Sequence, residues 1–187
     1  MCSSDLKGLD GPAGTGAMII SRDFDSQLYP LLHGGTGILS ADMKMPSFLP
    51  ERFEAGSLNA PAYAGLCTAL KEKDMKNKKL TQKIYKYLLS ELKNMKGITV
   101  IGAPEEKQEE NWVPIILINL WGYNSEEAAE MLAKENIAVR GGLHCAYKAH
   151  KKLGTLKTGG VRISIGRGNT MVHAQALIDT LARKTTC

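Results

Sequence analysis

Arg140, His144 and Cys145 fall within six positions, in the run Ile137-Ala-Val-Arg-Gly-Gly-Leu-His-Cys-Ala-Tyr147. A thiol beside an imidazole and near a guanidinium is the arrangement that favours the thiolate, the nucleophilic form of cysteine. A lone cysteine in a domain of this size also serves as a small buried hydrophobe, and this run by itself leaves both readings open. Two further glycine-rich runs could do chemistry. Lys7-Gly-Leu-Asp-Gly-Pro-Ala-Gly-Thr-Gly16 is a loop or tight turn; it is no phosphate-binding P-loop, because no Gly-Lys-Ser/Thr follows the glycines. Taken alone, Lys7 reads as a solvated loop lysine. His33-Gly34-Gly35-Thr36-Gly37 is the second run. His150, six residues past His144, is expected on a helix surface and not as a metal ligand.

The elements that must hold these residues follow from periodicity. Ile137 to Val139 suit a short buried strand, which Arg140-Gly141-Gly142 breaks into a loop. Ala17 to Ser21 reads as another short buried strand. Residues 38–56 have no clear period and are expected to form an extended excursion, of the kind that is functional or packed against a partner. Asn59-Ala60-Pro61 marks a helix start, with Ala64, Leu66, Cys67 and Leu70 on one face. Leu80, Ile84, Leu88, Leu92 and Met95 recur at three and four through a helix from about Asp74 to Lys96, which Gly97 stops. Ile98 to Ile101 and Val113 to Leu120 are strands joined by a polar connection over 105–111, and Pro114 argues for a strand start or an edge. Ser125 is expected to cap a helix running to Lys134. Gly160 to Gly166 alternates with period two, Val161, Ile163 and Ile165 apolar, and reads as a half-buried strand whose other face carries Arg162. Thr170 is expected to cap a last helix with Ala174, Leu177, Ile178 and Leu181 inward. From residue 74 onward the order predicts a compact α/β sandwich with helices against one sheet, whereas residues 7–58 form no core of their own.

Composition bounds the rest. The chain has 187 residues, 23% charged and 43% hydrophobic, which describes a soluble globular protein, with no run long enough for a membrane span. The net charge of +5 is concentrated in lysines between Lys71 and Lys96, a solvated helix face. Nucleic-acid binding would want arginines, interleaved aromatics or a reading motif, and is not expected. Cys2, Cys67, Cys145 and Cys187 are scattered without ligand spacing. With no basic n-region or apolar h-region at the start, a reduced cytoplasmic protein without a metal site is expected.

Four motifs then stand in register: Lys7 to Gly16, Arg52-Phe-Glu-Ala-Gly-Ser-Leu-Asn59, Ile137 to Ala146, and Val161-Arg-Ile-Ser-Ile-Gly-Arg-Gly-Asn-Thr170. In this order the chain resembles the C-terminal half of class V pyridoxal-phosphate enzymes, most closely the cysteine desulfurase and selenocysteine lyase group. The resemblance implies a fold-type I architecture. Residues 1–72 would be a remnant of the large PLP-binding domain, with the lysine loop, an interface excursion and a linking helix. Residues 73–187 would be the C-terminal small α/β domain carrying the cysteine loop.

The resemblance also assigns roles. Lys7 matches the lysine that holds pyridoxal 5'-phosphate as a Schiff base, a task for an amine that can deprotonate and shuttle protons. Ser57 stands where the family usually has a threonine that reaches the cofactor phosphate of the neighbouring subunit. Gly34 and Gly35 match glycines that approach that cofactor across a homodimer. Arg162 matches the arginine that clamps the substrate carboxylate, fork to fork. Cys145 matches the nucleophile that takes sulfur from L-cysteine, or selenium from selenocysteine, before passing it to a sulfur-acceptor protein. His144 and Arg140 would tune or position its loop.

Two departures shape the expectation. Leu6 stands where the family has a histidine, and the family's long upstream half, with most of the cofactor site, is not represented. Residues 1–6 match nothing in the pattern, and Met-Cys-Ser-Ser-Asp-Leu back-translates to the end of a common sequencing adapter. The chain is therefore expected to be a gene fragment and no competent desulfurase by itself. The alternatives are another class V activity, such as an aminotransferase or selenocysteine lyase, and a non-catalytic truncated interaction domain. The cysteine loop argues against transamination, which needs no thiol nucleophile.

Overall fold

The computed structural model describes residues 2–4, 9–21, 23, 28–39, 41–72, 75–102 and 113–185. Leu6, Lys7 and the connection over 105–111 lie outside them. The chain is mixed α/β and divides into two compact units, Met1–Lys73 and Asp74–Cys187.

The first unit is mostly irregular. Strands β1 (Cys2–Ser4) and β2 (Gly16–Met18) pair antiparallel, Ser3 opposite Ala17. The buried strand expected over Ala17 to Ser21 is instead short and exposed, with Ile19 open to solvent. One neighbouring strand cannot bury both faces of so short an element. A turn of 3-10 helix over Glu51–Phe53 interrupts the long excursion. Helix α1 (Ala60–Lys71) starts where predicted: the Asn59 side chain accepts a hydrogen bond from the Ala62 N–H at 3.2 Å, with Pro61 in the first turn. Of its expected inner face only Leu66 is buried; Ala64, Cys67 and Leu70 are exposed.

The second unit has a core. Helix α2 (Met75–Asn94) turns Ile84, Leu88 and Leu92 inward at a spacing of four, and Gly97, at φ +79°, ends the run in the left-handed region. Strands β3 (Ile98–Ile101), β4 (Ile115–Leu120) and β5 (Val161–Ser164) form an antiparallel sheet in the order β3-β4-β5. Of the strand start or edge that Pro114 argued for, the start is what the structure shows, since β4 begins at Ile115 and is the central strand. The proline sits just before it, where its carbonyl accepts from Ile165 N–H at 2.9 Å. The register sets Ile116 opposite Ile163 and Ile118 opposite Val161, so one face of the sheet is apolar. Leu117 lies opposite Arg162, so the other face carries the arginine.

Helix α3 (Ser125–Lys134) contributes Ala128 and Leu132 to the core. The short α4 (Tyr147–Lys152) follows the cysteine loop, and α5 (Met171–Thr185) brings Ala174, Leu177, Ile178 and Leu181 inward. Each leucine and isoleucine among these contributes about 1.5–3 kcal/mol on leaving water, and each alanine less.

Two expectations are corrected here. Asn124, not Ser125, caps α3, and its side chain accepts from the Glu126 and Glu127 N–H groups while Glu127 reaches back to the Asn124 N–H. Ile137 to Val139 is no strand. Only Arg140 pairs with β5, through one isolated antiparallel bridge to Arg162.

Candidate active site

That bridge is the foundation of the site. Arg140 N–H donates to the Arg162 carbonyl at 3.2 Å, and Arg162 N–H donates to the Arg140 carbonyl at 2.7 Å. Two guanidinium-bearing residues are thus fixed side by side on the edge of the sheet, Arg140 exposed and Arg162 half-buried. Arg162 Nε is buried without a hydrogen-bond partner, a donor that an anionic group could satisfy.

The loop leaves this edge through Gly141 and Gly142, and both are needed. A Cβ at Gly141 would fall on the backbone of Ser125. Gly142 adopts φ +106°, donates its N–H to Ser125 Oγ at 3.1 Å and accepts from Gly160 N–H at 3.2 Å. A Cβ at Gly159 would lie 2.5 Å from the same Ser125 Oγ. Ser125, buried at the first turn of α3, is therefore the post around which the loop is wound. Its capping duty belongs to Asn124, which leaves its hydroxyl for Gly142.

His144 and Cys145 come next, both in the left-handed region at φ +54° and +57°. Two successive non-glycine residues there cost roughly 1–2 kcal/mol each, which the surrounding hydrogen bonds must offset. The turn closes through Ala146 N–H to the Leu143 carbonyl at 2.8 Å and leads into α4. Cys145 carries a free, exposed thiol. The reading of a small buried hydrophobe is thereby excluded.

His144 Nε2 lies 2.9 Å from the Arg140 carbonyl. A carbonyl only accepts, so Nε2 carries the proton and the neutral ring keeps its lone pair on Nδ1. Burial pushes the His144 pKa down; the bond to Arg140 opposes this, and the charges of Arg162, His150 and Arg140 add to the lowering.

His150 corrects the expectation of a surface residue. It is 2% exposed, and its Nδ1 shares a 2.7 Å hydrogen bond with the hydroxyl of Thr155, itself buried. No group of three or more potential metal ligands gathers among the described residues.

In the first unit, Gly56 N–H donates to the Gly35 carbonyl at 2.8 Å, which pins the Gly34-Gly35 turn against the Ala55-Gly56-Ser57 turn. Ser57 and both glycines are exposed, and a Cβ on Gly35 would meet nothing within 4 Å. Beside them, His33, Lys44, Ser47 and Arg52 help to line an open hollow of about 440 Å3. Lys7 lies outside the described residues.

The family model for aminotransferase class-V matches residues 1–177. The chain belongs to the class-V aminotransferase family. It is 34% identical over 186 residues to a probable cysteine desulfurase of Methanothermobacter thermautotrophicus, covering 94% of this chain and 44% of that relative. Among solved structures, the apo cysteine desulfurase of Thermococcus onnurineus NA1 superposes with a TM-score of 0.83 at 24% identity, over 99% of this chain and 46% of that one. The cystine C-S lyase C-DES, in complex with its product cysteine persulfide, gives 0.70 at 19% identity, over 94% and 44% of the two chains. A variant of C-DES holds glycine covalently linked to its PLP cofactor. The class-V chain thus spans less than half the length of these relatives. The likenesses to the solved structures establish its fold.

Proposed function

We propose that this class-V chain is the C-terminal part of a pyridoxal-phosphate-dependent cysteine desulfurase that converts L-cysteine to L-alanine and gathers the sulfur as a persulfide on Cys145. The observation that carries the reading is the exposed Cys145 thiol, held in a left-handed turn on the loop that Arg140 ties to Arg162. The desulfurase names of the relatives support it.

The residues present fit the cofactor as far as they reach. Gly34, Gly35 and Ser57 form one exposed set of small residues, pinned by a backbone hydrogen bond, with room for a phosphate to approach. In the homodimer we infer, they would face the cofactor of the neighbouring subunit, while Lys7 would hold the cofactor covalently. When bound, pyridoxal phosphate supplies the electron sink that loosens the bond between carbon and sulfur in the substrate.

The chain's own residues do the rest. Arg162, with its unsatisfied Nε–H, holds the substrate carboxylate, and Arg140 orients the loop beside it. His144 takes the thiol proton on Nδ1. Cys145 Sγ then attacks the substrate sulfur. A sulfur–sulfur bond forms, the carbon–sulfur bond breaks, and the carbon keeps the electron pair and gains a proton to give alanine. A thiol of a sulfur-acceptor protein in the cytoplasm then takes the outer sulfur of the persulfide: its bond to that sulfur forms, the sulfur–sulfur bond to Cys145 breaks, and Cys145 is left as the thiolate. The 187-residue chain alone is expected to be inactive, since most cofactor contacts of such a site lie in the part of the relatives it does not span.

The test uses the longer protein that carries this chain, given pyridoxal phosphate and L-cysteine. Alanine and persulfide sulfur should form in equal amounts, with the extra sulfur on the Cys145 peptide by mass spectrometry. Cys145→Ala should fall to background, and Lys7→Ala should lose the borohydride-reducible cofactor adduct. Turnover unchanged in Cys145→Ala would overturn the persulfide route.

A further inference from the structure

The mechanism above makes no use of His150, although a histidine sealed in the interior must earn its place through its contacts. We propose that His150 and Thr155 are a positioning pair that sets the His144 ring and, through it, the turn that presents Cys145. The claim rests on the reading of Cys145 as the reactive thiol.

Three contacts converge. The His150 ring lies 5.6 Å from the His144 ring, centroid to centroid, tilted by 34°, so it forms a wall against which His144 rests. His150 cannot turn freely, because its Nδ1 is tied to Thr155 Oγ1 at 2.7 Å, with His150 2% and Thr155 7% exposed. Breaking a buried hydrogen bond leaves a polar atom unsatisfied, so the pair locks the orientation of the wall. His144, held there, keeps Nε2 on the Arg140 carbonyl and its lone pair on Nδ1.

The backbone closes the circuit. Thr155 N–H donates to the His150 carbonyl at 2.9 Å, and Gly159 N–H donates to the Thr155 carbonyl at 2.8 Å. Gly160 N–H then reaches the Gly142 carbonyl at 3.2 Å. The loop from Arg140 to Ala146 is therefore clamped at Gly142 by the segment after α4 and at His144 by a side chain of α4. Both clamps pass through Thr155. An aliphatic residue at 150 would fill the space but could accept no orientation from Thr155 Oγ1, the bond that fixes the His150 ring.

The experiment needs no turnover and uses the 187-residue chain. Long-range nitrogen–proton NMR spectra report the tautomer of each of the four histidines, with His144 assigned by His144→Gln. The wild-type chain should show His144 with Nε2 protonated. Thr155→Val, which keeps the shape and removes the hydroxyl, should mix the two tautomers, and Thr155→Ser should restore the wild-type signature.

The second readout is alkylation of Cys145 by iodoacetamide, followed peptide by peptide with the exposed Cys67 as internal reference. His150→Leu and Thr155→Val should change the Cys145 rate by at least about twofold, the low end of what touching residues exert on one another. Cys67 should not change, and Thr155→Ser should match the wild type. If His150→Leu does not fold, the Thr155 pair decides alone. A His144 signature and a Cys145 rate that are the same in Thr155→Val as in the wild type would overturn the proposal. Failure of the persulfide reading would show elsewhere, as absence of sulfur on Cys145 during turnover with both readouts here intact.

Discussion

His144 links the chemistry of the loop to the stability of the unit that carries it. Burial is the largest cause of its lowered pKa, followed by the opposing bond to Arg140 and the repulsion of neighbouring cations. The unfolded chain, with a histidine pKa of about 6.5, therefore binds a proton more readily than the folded one. Stability must rise with pH through the interval between the two values. Above the unfolded value the full contribution is present, and it is lost as pH falls towards the folded one. Urea midpoints measured from about pH 5 to pH 8 should show this rise, and His144→Gln should flatten its share. On the proposed reading of His144 as the base, the same substitution in the longer protein should slow turnover about 10²-fold or more, in the range of a lost general base.

The sequence made part of this site readable. Arg140, His144 and Cys145 are close because they are close in the chain, and Arg162 follows from the strict alternation of its strand. His150 was not readable. Tyr147-Lys-Ala-His-Lys-Lys152 has no apolar period, so nothing along the run announces that its one buried face belongs to the histidine. That fact depends on Thr155 and His144, which meet it only after folding.

At the scale of elements, the junction of α3 with the cysteine loop is the tightest joint in the site. Gly141→Ala would push a methyl group into the Ser125 backbone, and backbone cannot swing aside as a side chain can. We expect a loss of about 1–3 kcal/mol, typical of overpacking. Gly168→Ala is the control, since a Cβ there meets nothing within 4 Å and it should change little. Denaturant unfolding of the two variants makes the comparison. Asn124→Ala should cost about 1 kcal/mol through the lost cap. The cap shows how local signals compete. Ser125 and Asn124 are both capable, but only Asn124 has a glutamate three residues on, and the reciprocal box decides between them. The long helices were legible because their periods run over several turns. The strand expected at Ile137 to Val139 was not, because pairing depends on the length of the neighbour, and β5 offers that segment a single bridge.

The two units of the molecule differ in what holds each together. In Asp74–Cys187, α2, α5 and the three-stranded sheet enclose Ile84, Leu88, Leu92, Ile118, Val161 and Leu181, all at 2% exposure or less. In Met1–Lys73, Leu66 is the one large aliphatic side chain buried among the described residues, while Tyr29, Leu31, Leu32 and Met43 stand open. A cooperative transition needs a shared core, so the second unit should supply it. Residues 74–187 expressed alone are expected to melt in one sharp step, and Leu181→Ala should remove about 2–5 kcal/mol, as truncation of a sealed core leucine does. Leu31→Ala in the 187-residue chain should leave that step where it is, because a side chain already in water has no burial to lose. Differential scanning calorimetry measures both. If residues 74–187 gave only a broad, heatless transition, the core just described would not be self-sufficient.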